Sequence, residues 1–301
     1  MDVSGGAAGT GIRWPEGWPA VQLTALCAAA LAEDIGSGDV TTEACLPPGA
    51  RARAVLLGKE RGVVAGLPVA AACFALADPG AVWRPLASDG HTMHDVPARL
   101  AEVEGSARGL LAAERVALNF VQRLSGIATR TAEAVRIAAG RADVLDTRKT
   151  TPGLRWLERY AVRTGGGRNH RFGLADGILI KDNHARAAGG VGAAVRAARR
   201  AGPRGLRVEV ECESLAQVDE ALAAGAEIIL LDNMTVPELR AAVQRIAGRA
   251  RTEASGGITL ANLADVVATG VDAASLGSLT HSAPALDVSL EVEVGADAPS
   301  H

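Results

Sequence analysis

Four short apolar stretches, at residues 206–210, 228–231, 252–254 and 273–276, recur every twenty-odd residues, each followed by a loop and most of them by a helical pattern. Two more, at 144–146 and 177–180, precede them. Ser214 with Gln217 and Thr235 with Glu238 spell capping boxes that start helices just after strands. Gly225 and Gly270 stand where those helices should stop. A strand–loop–helix repeat returns each strand in the same direction, so this half of the chain is a βα array, a parallel barrel or a doubly wound sheet. The first half reads differently. Residues 55–59 and 99–103 pattern as strands and 21–32 and 69–77 as helices, which describes a smaller α+β domain. An apolar helical region over 110–139, with a break expected near Ser125–Gly126, leads into the array, and the apolar segment 286–294 is expected to return to the first domain.

Composition excludes several classes. With 48% hydrophobic and 22% charged residues in 301, the chain has the material for a real core, of about two domains' size. A net charge of −3 and 3% aromatic content supply neither the basic footprint nor the stacking rings of a nucleic-acid binder. Cys27, Cys45, Cys73 and Cys212 form no C-x-x-C pair and read as reduced thiols. No apolar run approaches the roughly 20 residues of a membrane span. The expectation is a cytoplasmic protein with no nucleic-acid and no membrane partner. The Gly- and Ala-rich start reads as a loose tail. Of 31 basic side chains only Lys59, Lys149 and Lys181 are lysines. Where arginine has replaced nearly every other basic residue, a lysine marks a place that wants a compact ammonium. Lys59 is as well explained by chance.

In βα arrays chemistry collects at the carboxyl ends of the strands. Read in order, those ends carry Asp146, Thr147, Arg148, Lys149 and Thr150; then Lys181, Asp182, Asn183 and His184; then Glu209 and Glu211; then Asp232 and Asn233; then Ser255, Gly256 and Gly257; then Gly277 and Ser278. One polar end is ordinary loop chemistry, but six in a row indicate a site. Glycine turns let backbone N–H groups approach an anion, so the last two ends suit a phosphate. Glu209 and Glu211 lie two apart on one strand and face the same way. With Asp232 they suit a divalent cation or ribose hydroxyls, the alternative being a structural salt bridge to a rim arginine, chiefly for Glu209. Residues 163–171, RTGGGRNHR, join Arg148, Lys149 and Lys181 in a cationic cluster that calls for a substrate with more than one anionic group. Arg115, Asn119 and Gln122 form a polar stripe on an apolar helix, either an exposed face or one that meets a site or a partner subunit. His91 and His94 read as surface residues. No G-x-S-x-G or Walker A motif occurs.

Eight blocks, in order, resemble the quinolinate phosphoribosyltransferase family: EDIGSGDVTT at 33–42, ERVALNFVQRLSGIAT at 114–129, DTRKTTPG at 146–153, YAVRTGGGRNHR at 160–171, LIKDNH at 179–184, LLDN at 230–233, EASGGI at 253–258 and LTHSAPALD at 279–287. The resemblance spans about residues 20–292. It implies an α/β fold: an N-terminal α/β sandwich (residues 19–117, completed by about 285–294) and an incomplete, seven-stranded parallel βα barrel (118–284), with tails at 1–18 and 295–301. It implies that Arg148, Lys149, His170, Arg171 and Lys181, with Thr147, hold the two carboxylates of quinolinate, and that Arg115 comes from the neighbouring subunit of a homodimer, itself open to further assembly. Glu211 and Asp232 would serve phosphoribosyl pyrophosphate and its Mg²⁺, and Ser255, Gly256, Gly257, Gly277 and Ser278 its 5′-phosphate. Lys149, Lys181, Glu211 and Asp232 are the catalytic candidates. Arg159 and Arg168 fall where the pattern is loose.

Three other readings compete: a relative in the same family associated with molybdenum transport, a Schiff-base aldolase with Lys181 as nucleophile, and a binding protein that keeps the phosphate turns without catalysis. The intact NHR run favours the first reading over the relative. Glu211, Asp232 and Lys149 together disfavour a binding protein.

Overall fold

The computed structural model describes residues 12–293. It divides into two compact units, one formed by Met1–Thr129 with Pro284–His301 and the other by Arg130–Ala283. Among the described residues no helix is long and apolar enough to cross a membrane.

The first unit contains α1 (Ala20–Ile35), α2 (Val40–Cys45), β1 (Arg51–Gly58), β2 (Gly62–Val63), α3 (Leu67–Ala77), β3 (Val82–Pro85), β4 (Thr92–Met93), β5 (Ala98–Ser106), the start of α4 (Ala107–Ala138) and the last strand, β12 (Val288–Glu293). Its main sheet is antiparallel in the order β12-β1-β5-β3. The pairs Ala54–Val103 and Leu56–Ala101 put buried side chains on one face. Arg53 reaches Glu102 at 2.6 Å and Glu293 at 3.4 Å, and Lys59 reaches Glu291 at 3.1 Å. Lys59 is therefore a surface ion-pair residue. The expected return of the C-terminal segment is the β12–β1 pairing. It is fastened by Gln122, whose side-chain amide donates to Val288 O at 2.9 Å and whose backbone carbonyl accepts Leu286 N–H at 3.0 Å. Gln122 thus leaves the polar stripe for a structural task, while Arg115 and Asn119 stay exposed.

The tail expected over 1–18 is ordered where it is described. Trp14 stacks on Trp18 with centroids 5.6 Å apart and donates to Thr24 Oγ1 at 3.0 Å, which fixes residues 14–18 against α1. The rest of that tail, residues 1–11, and the tail at 295–301 lie outside the described residues.

The break expected at Ser125–Gly126 does not occur; α4 runs unbroken for 32 residues. A Cβ on Gly126 would sit 1.9 Å from Pro284 O, and Ser125 Oγ accepts Ala65 N–H at 2.9 Å and donates to Ala65 O at 3.2 Å. The pair exists for close approach, not for breaking the helix. Gly126→Ala is therefore expected to destabilise the protein by about 1–3 kcal/mol, against the gain of roughly 1 kcal/mol that alanine brings to an open helix position. Urea unfolding checks this, and a stabilised variant would contradict the close-packing argument. Because α4 is continuous, the division between units falls inside it, after Thr129, rather than at 117/118.

The second unit contains β6 (Asp143–Leu145), α5 (Arg155–Thr164), β7 (Ile178–Ile180), α6 (Asp182–Ala187), α7 (Val191–Ala201), β8 (Val208–Cys212), α8 (Leu215–Ala224), β9 (Ile228–Asp232), α9 (Val236–Ile246), β10 (Arg251–Ser255), α10 (Leu263–Val267), β11 (Ala273–Ser275) and α11 (Ser278–His281). Its strands form one parallel sheet in the order β6-β11-β10-β9-β8-β7. These are the six strands read from the periodicity. Beyond β6 the next ladder is a single bridge, Leu145 with Arg168. Thr235 and Glu238 close a full capping box. Ser214 caps α8 by accepting Gln217 N–H, but the Gln217 side chain accepts Glu213 N–H instead of reaching back to Ser214. Gly225 caps α8 in the left-handed region at φ 80°. Gly270, at φ 90°, lies beyond α10 in the turn to β11.

Candidate active site

The register places Ser255 opposite Asp232 and Glu211 opposite Leu230, so the carboxyl ends of β8, β9 and β10 come out together. There, a cleft of about 610 Å³ is lined by Thr147, Arg148, Lys149, His170, Arg171, Leu179, Lys181, Glu211, Leu230, Asp232, Asn233, Glu253, Ser255, Gly256, Gly257 and Ser275. A second cavity of about 470 Å³ lies by the amino ends of the strands, beside Asp143, Arg207 and Arg251, and shares only His170, Arg171 and Glu253 with the cleft.

The loop after β6 is tied down through its backbone and threonines. Glu158, fully buried on α5, accepts Thr151 N–H at 3.1 Å and Thr151 Oγ1–H at 2.8 Å. Arg155 donates to Thr150 Oγ1 at 3.0 Å and to Arg148 O at 3.3 Å. Thr280 Oγ1 donates to Lys149 O at 2.8 Å. These bonds leave the charged ends of Arg148 and Lys149 to the cleft. Arg148 Nε is buried without any partner, a donor set for an anion.

The loop carrying His170 and Arg171 hangs on a buried ion pair. Asp146, fully buried at the end of β6, meets Arg159 of α5 at 3.2 Å. The same carboxylate accepts His170 N–H at 2.7 Å and the Asn169 amide at 2.5 Å. Arg159 in turn donates to the carbonyls of His170 and Arg171. Burial pushes the Asp146 carboxyl up, and the charge of Arg159 opposes that shift.

The His170 ring is held at both nitrogens. Nε2 lies 3.2 Å from Glu209 and 3.4 Å from Glu253, and Nδ1 accepts Arg171 N–H at 2.8 Å. Burial pushes the imidazole pKa down, but the two carboxylates outweigh it and carry it to about 10. The N–H facing Nδ1 opposes a second ring proton. Nε2 carries a proton between the two carboxylates.

Across the cleft Lys181 Nζ pairs with Glu211 at 3.5 Å. Burial raises the Glu211 pKa, Lys181 opposes the rise and Asp232 adds to it. Glu211, Glu213 and Asp232 bring carboxylate oxygens within 4.8 Å of one another. The turn after β10 needs its glycines. Gly256 has φ +84° and a Cβ there would lie 2.2 Å from Asn233 Oδ1, and Gly257 has φ +61°.

Residues 39–125 match the model of the quinolinate phosphoribosyl transferase N-terminal domain, and residues 127–291 match that of its C-terminal domain. The chain belongs to the quinolinate phosphoribosyltransferase family. It is similar to the probable nicotinate-nucleotide pyrophosphorylase (carboxylating) of Bacillus subtilis (strain 168), 46% identical over 261 residues that make up 86% of this chain and 90% of that relative. It is also similar to quinolinate phosphoribosyltransferase (decarboxylating) 2a, mitochondrial, of Nicotiana tabacum, 42% identical over 298 residues, 93% of this chain and 84% of the relative. The crystal structure of NadC from Streptococcus pyogenes superposes with a TM-score of 0.87 at 45% identity, covering 92% of this chain and 98% of that one. The nicotinate-nucleotide pyrophosphorylase of Francisella tularensis gives 0.87 at 38% identity over the same shares.

Set in that family, the residues singled out from sequence sort clearly. Thr147, Arg148, Lys149, His170, Arg171, Lys181, Glu211, Asp232, Ser255, Gly256 and Gly257 line one cleft. Gly277 adjoins it, since a Cβ there would lie 3.0 Å from the Lys149 side chain, and Ser278 begins α11. Arg115 is exposed in the other unit. His91 and His94 are exposed. Arg168 is an exposed partner of Asp143 at 3.1 Å. The residues missed were the supports: Asp146 as an anchor, Glu158, Arg159, Glu253 and Thr280. Arg159 falls where the family pattern is loose, yet it is 6% exposed and holds the NHR loop. A signal existed, because Glu158 and Arg159 stand side by side in the otherwise apolar run WLERYAV.

Proposed function

We propose that this protein transfers the phosphoribosyl group of phosphoribosyl pyrophosphate to quinolinate, releasing pyrophosphate and CO₂ and forming nicotinate mononucleotide for NAD biosynthesis, as a cytoplasmic enzyme. One observation carries the reading: Arg148, Lys149, His170, Arg171 and Lys181 line one cleft together with Glu211 and Asp232. Such a cleft suits a dianionic ring on one side and a ribose with its cation on the other. The parallel sheet with the Leu145–Arg168 bridge beyond its edge is read as the family's incomplete seven-stranded barrel.

The chemistry asks little proton transfer of the protein at the first step. The pyridine nitrogen of quinolinate has a free lone pair and attacks the ribose C1 without a general base. The cations orient the ring for this attack. Glu211 and Asp232 stabilise the positive charge that develops on the ribose. The positive nitrogen of the new pyridinium stabilises the electron pair left on the neighbouring carbon when its carboxylate departs as CO₂, and that carbon then takes a proton from solvent. Glu211 and Asp232, all-oxygen donors beside Glu213, fit Mg²⁺. Held there, the ion would supply positive charge to offset that of the leaving pyrophosphate. Ser255, Gly256 and Gly257, with Gly277 and Ser278, offer turns for the 5′-phosphate.

The direct test mixes the pure protein with quinolinate, phosphoribosyl pyrophosphate and Mg²⁺ and follows nicotinate mononucleotide. Quinolinate-dependent release of pyrophosphate removes the aldolase and binding-protein readings, and its absence removes this one. Nicotinate is expected to be a very poor substitute. One carboxylate cannot compensate Arg148, Lys149, His170, Arg171 and Lys181, and a cation left unpaired once the bound ring covers it costs about 2–5 kcal/mol. Comparable specificity constants for the two acids would contradict the assignment.

Arg115 is assigned to the neighbouring site of a homodimer. It is an exposed cation on a helix whose flanking residues Val116, Ala117 and Leu118 are buried. Mixing Arg115→Ala with Lys181→Ala subunits should then restore roughly a quarter of wild-type activity, because about half of the dimers carry both lesions in one site and none in the other. Mixed dimers seen by mass spectrometry without any gain in activity would put Arg115 outside the neighbouring site.

A further inference from the structure

The carboxylate that leaves quinolinate is replaced by a proton, and that proton has to reach a cleft already filled by the ring and the ribose. One side chain lining the cleft is built both to hold a proton and to part with it. His170 Nε2 lies 3.2 Å from Glu209 on β8 and 3.4 Å from Glu253 on β10, and these carboxylates are 6% and 4% exposed. Oε1 of Glu253 is buried with no partner of its own. Two buried negative charges against one ring are answered when that ring is an imidazolium. The other charges around it are Asp146, which accepts the His170 N–H, Arg159, which donates to the His170 carbonyl, and Arg171, whose guanidinium is turned to Gly177 O. At the second ring nitrogen the pull is opposite. Nδ1 lies 2.8 Å from Arg171 N–H, which favours a bare lone pair there. The carboxylates load the ring, and the Arg171 N–H stabilises it once it is unloaded.

We propose that His170 delivers the solvent-derived proton to the ring carbon, and that Glu253, with Glu209, is a positioning residue that keeps the imidazole charged until then. The proposal rests on the function proposed above and leaves His170 among the cations that hold quinolinate. The bond between the ring carbon and its carboxylate breaks, CO₂ leaves, and the electron pair stays on the carbon beside the pyridinium nitrogen. A carbon–hydrogen bond forms as the Nδ1–H bond breaks. The electron pair of that bond stays on Nδ1, where it accepts the Arg171 N–H. Nε2 keeps its proton between the carboxylates throughout. When the nucleotide departs, solvent recharges Nδ1 through the open cleft. The neighbouring cations suit the task less well: Arg148 and Arg171 do not give up protons, and Lys181 is paired with Glu211 at 3.5 Å. The three side chains also bring ligand atoms within 4.8 Å of one another, but a charged imidazole has no lone pair for a metal.

The test separates the two chemical steps: in a single turnover, rapid quench follows pyrophosphate and nicotinate mononucleotide independently. Burial pushes the His170 imidazole down, but the two carboxylates carry its pKa to about 10, and an acid is charged below its pKa and lost above it. The second step of the wild type should therefore hold its rate from about pH 6 to about pH 9. Glu253→Gln keeps an oxygen for Nε2–H and removes one charge, so the acid is lost at a lower pH. At about pH 9 this variant should release pyrophosphate within about threefold of the wild-type rate, while nicotinate mononucleotide forms about tenfold more slowly and the still-carboxylated nucleotide accumulates. Near pH 6 the lag should vanish, and Glu253→Asp, which keeps the charge, should remove most of it at the higher pH. A lag that ignores pH, equal slowing of both steps, or no lag in a folded Glu253→Gln would overturn the proposal. Should Glu253→Gln fail to fold, ¹⁵N NMR of the histidine-labelled wild type with quinolinate bound decides, the His170 signals being those lost in His170→Asn. A charged ring at about pH 8 is expected, and a neutral ring there overturns the proposal. Failure of the function itself would appear earlier, as a wild-type protein that releases no pyrophosphate with quinolinate.

Discussion

Asp232→Asn is expected to lower turnover at saturation by about 10²–10³, on the order of 2–4 kcal/mol in the transition state, while leaving quinolinate binding close to that of the wild type. The side chain ends β9 directly opposite Ser255 and lines the cleft with Glu211, whose pKa its charge helps to raise. Its neighbour Asn233 donates to Oδ2 at 2.5 Å, so its carboxylate is already oriented. Asparagine keeps the volume and removes the charge. The ground state of quinolinate binding does not use that charge, whereas the ribose cation does. Calorimetry of quinolinate with the variant, paired with its turnover, separates the two. Weakened quinolinate binding with intact turnover would reassign Asp232 to the pyridine side.

The second large effect is structural. Arg159→Ala is expected to cost about 3–5 kcal/mol, because it strands a fully buried Asp146 without its counter-charge. It should also free the carbonyls of His170 and Arg171. Removing both charges together, as in Asp146→Leu with Arg159→Met, should cost less than the single change, since the desolvation of each ion is then relieved. Denaturant unfolding measures both. A loss below about 1 kcal/mol for Arg159→Ala would mean that water reaches Asp146 and the pair behaves as a surface contact.

What could be read from the sequence was whatever repeats or sits at a strand end. The six strands of the parallel sheet follow from periodicity, and the cleft residues from the rule that loops after parallel strands share one face. What could not be read depends on partners distant in the chain. Ser125–Gly126 looks like a helix breaker until Pro284 and Ala65 are placed against it. Asp146 opened a motif whose interest was its cations, and only the fold shows it as the support of residues 169–170. Gln122 looked like part of a recognition stripe and instead fastens β12, 166 residues away. Glu253 sits inside a strand that otherwise reads as a phosphate turn's approach, and its contact with His170 spans most of the second unit. Local pattern carries the elements, whereas buried polar pairing is a property of the assembled chain.

The β12–β1 pairing also sets an order of assembly during synthesis. The second unit is one contiguous stretch, Arg130–Ala283, and can close as soon as it has emerged from the ribosome. The first unit cannot. Although nearly all of it is made first, β1 keeps an open edge from Arg53 to Gly58 until Val288–Glu293 appear. Until then that apolar strand is an exposed template for another chain. Of the two units, the one whose strands mostly come first in the chain is therefore the one finished last, and the few residues of β12 are what close it.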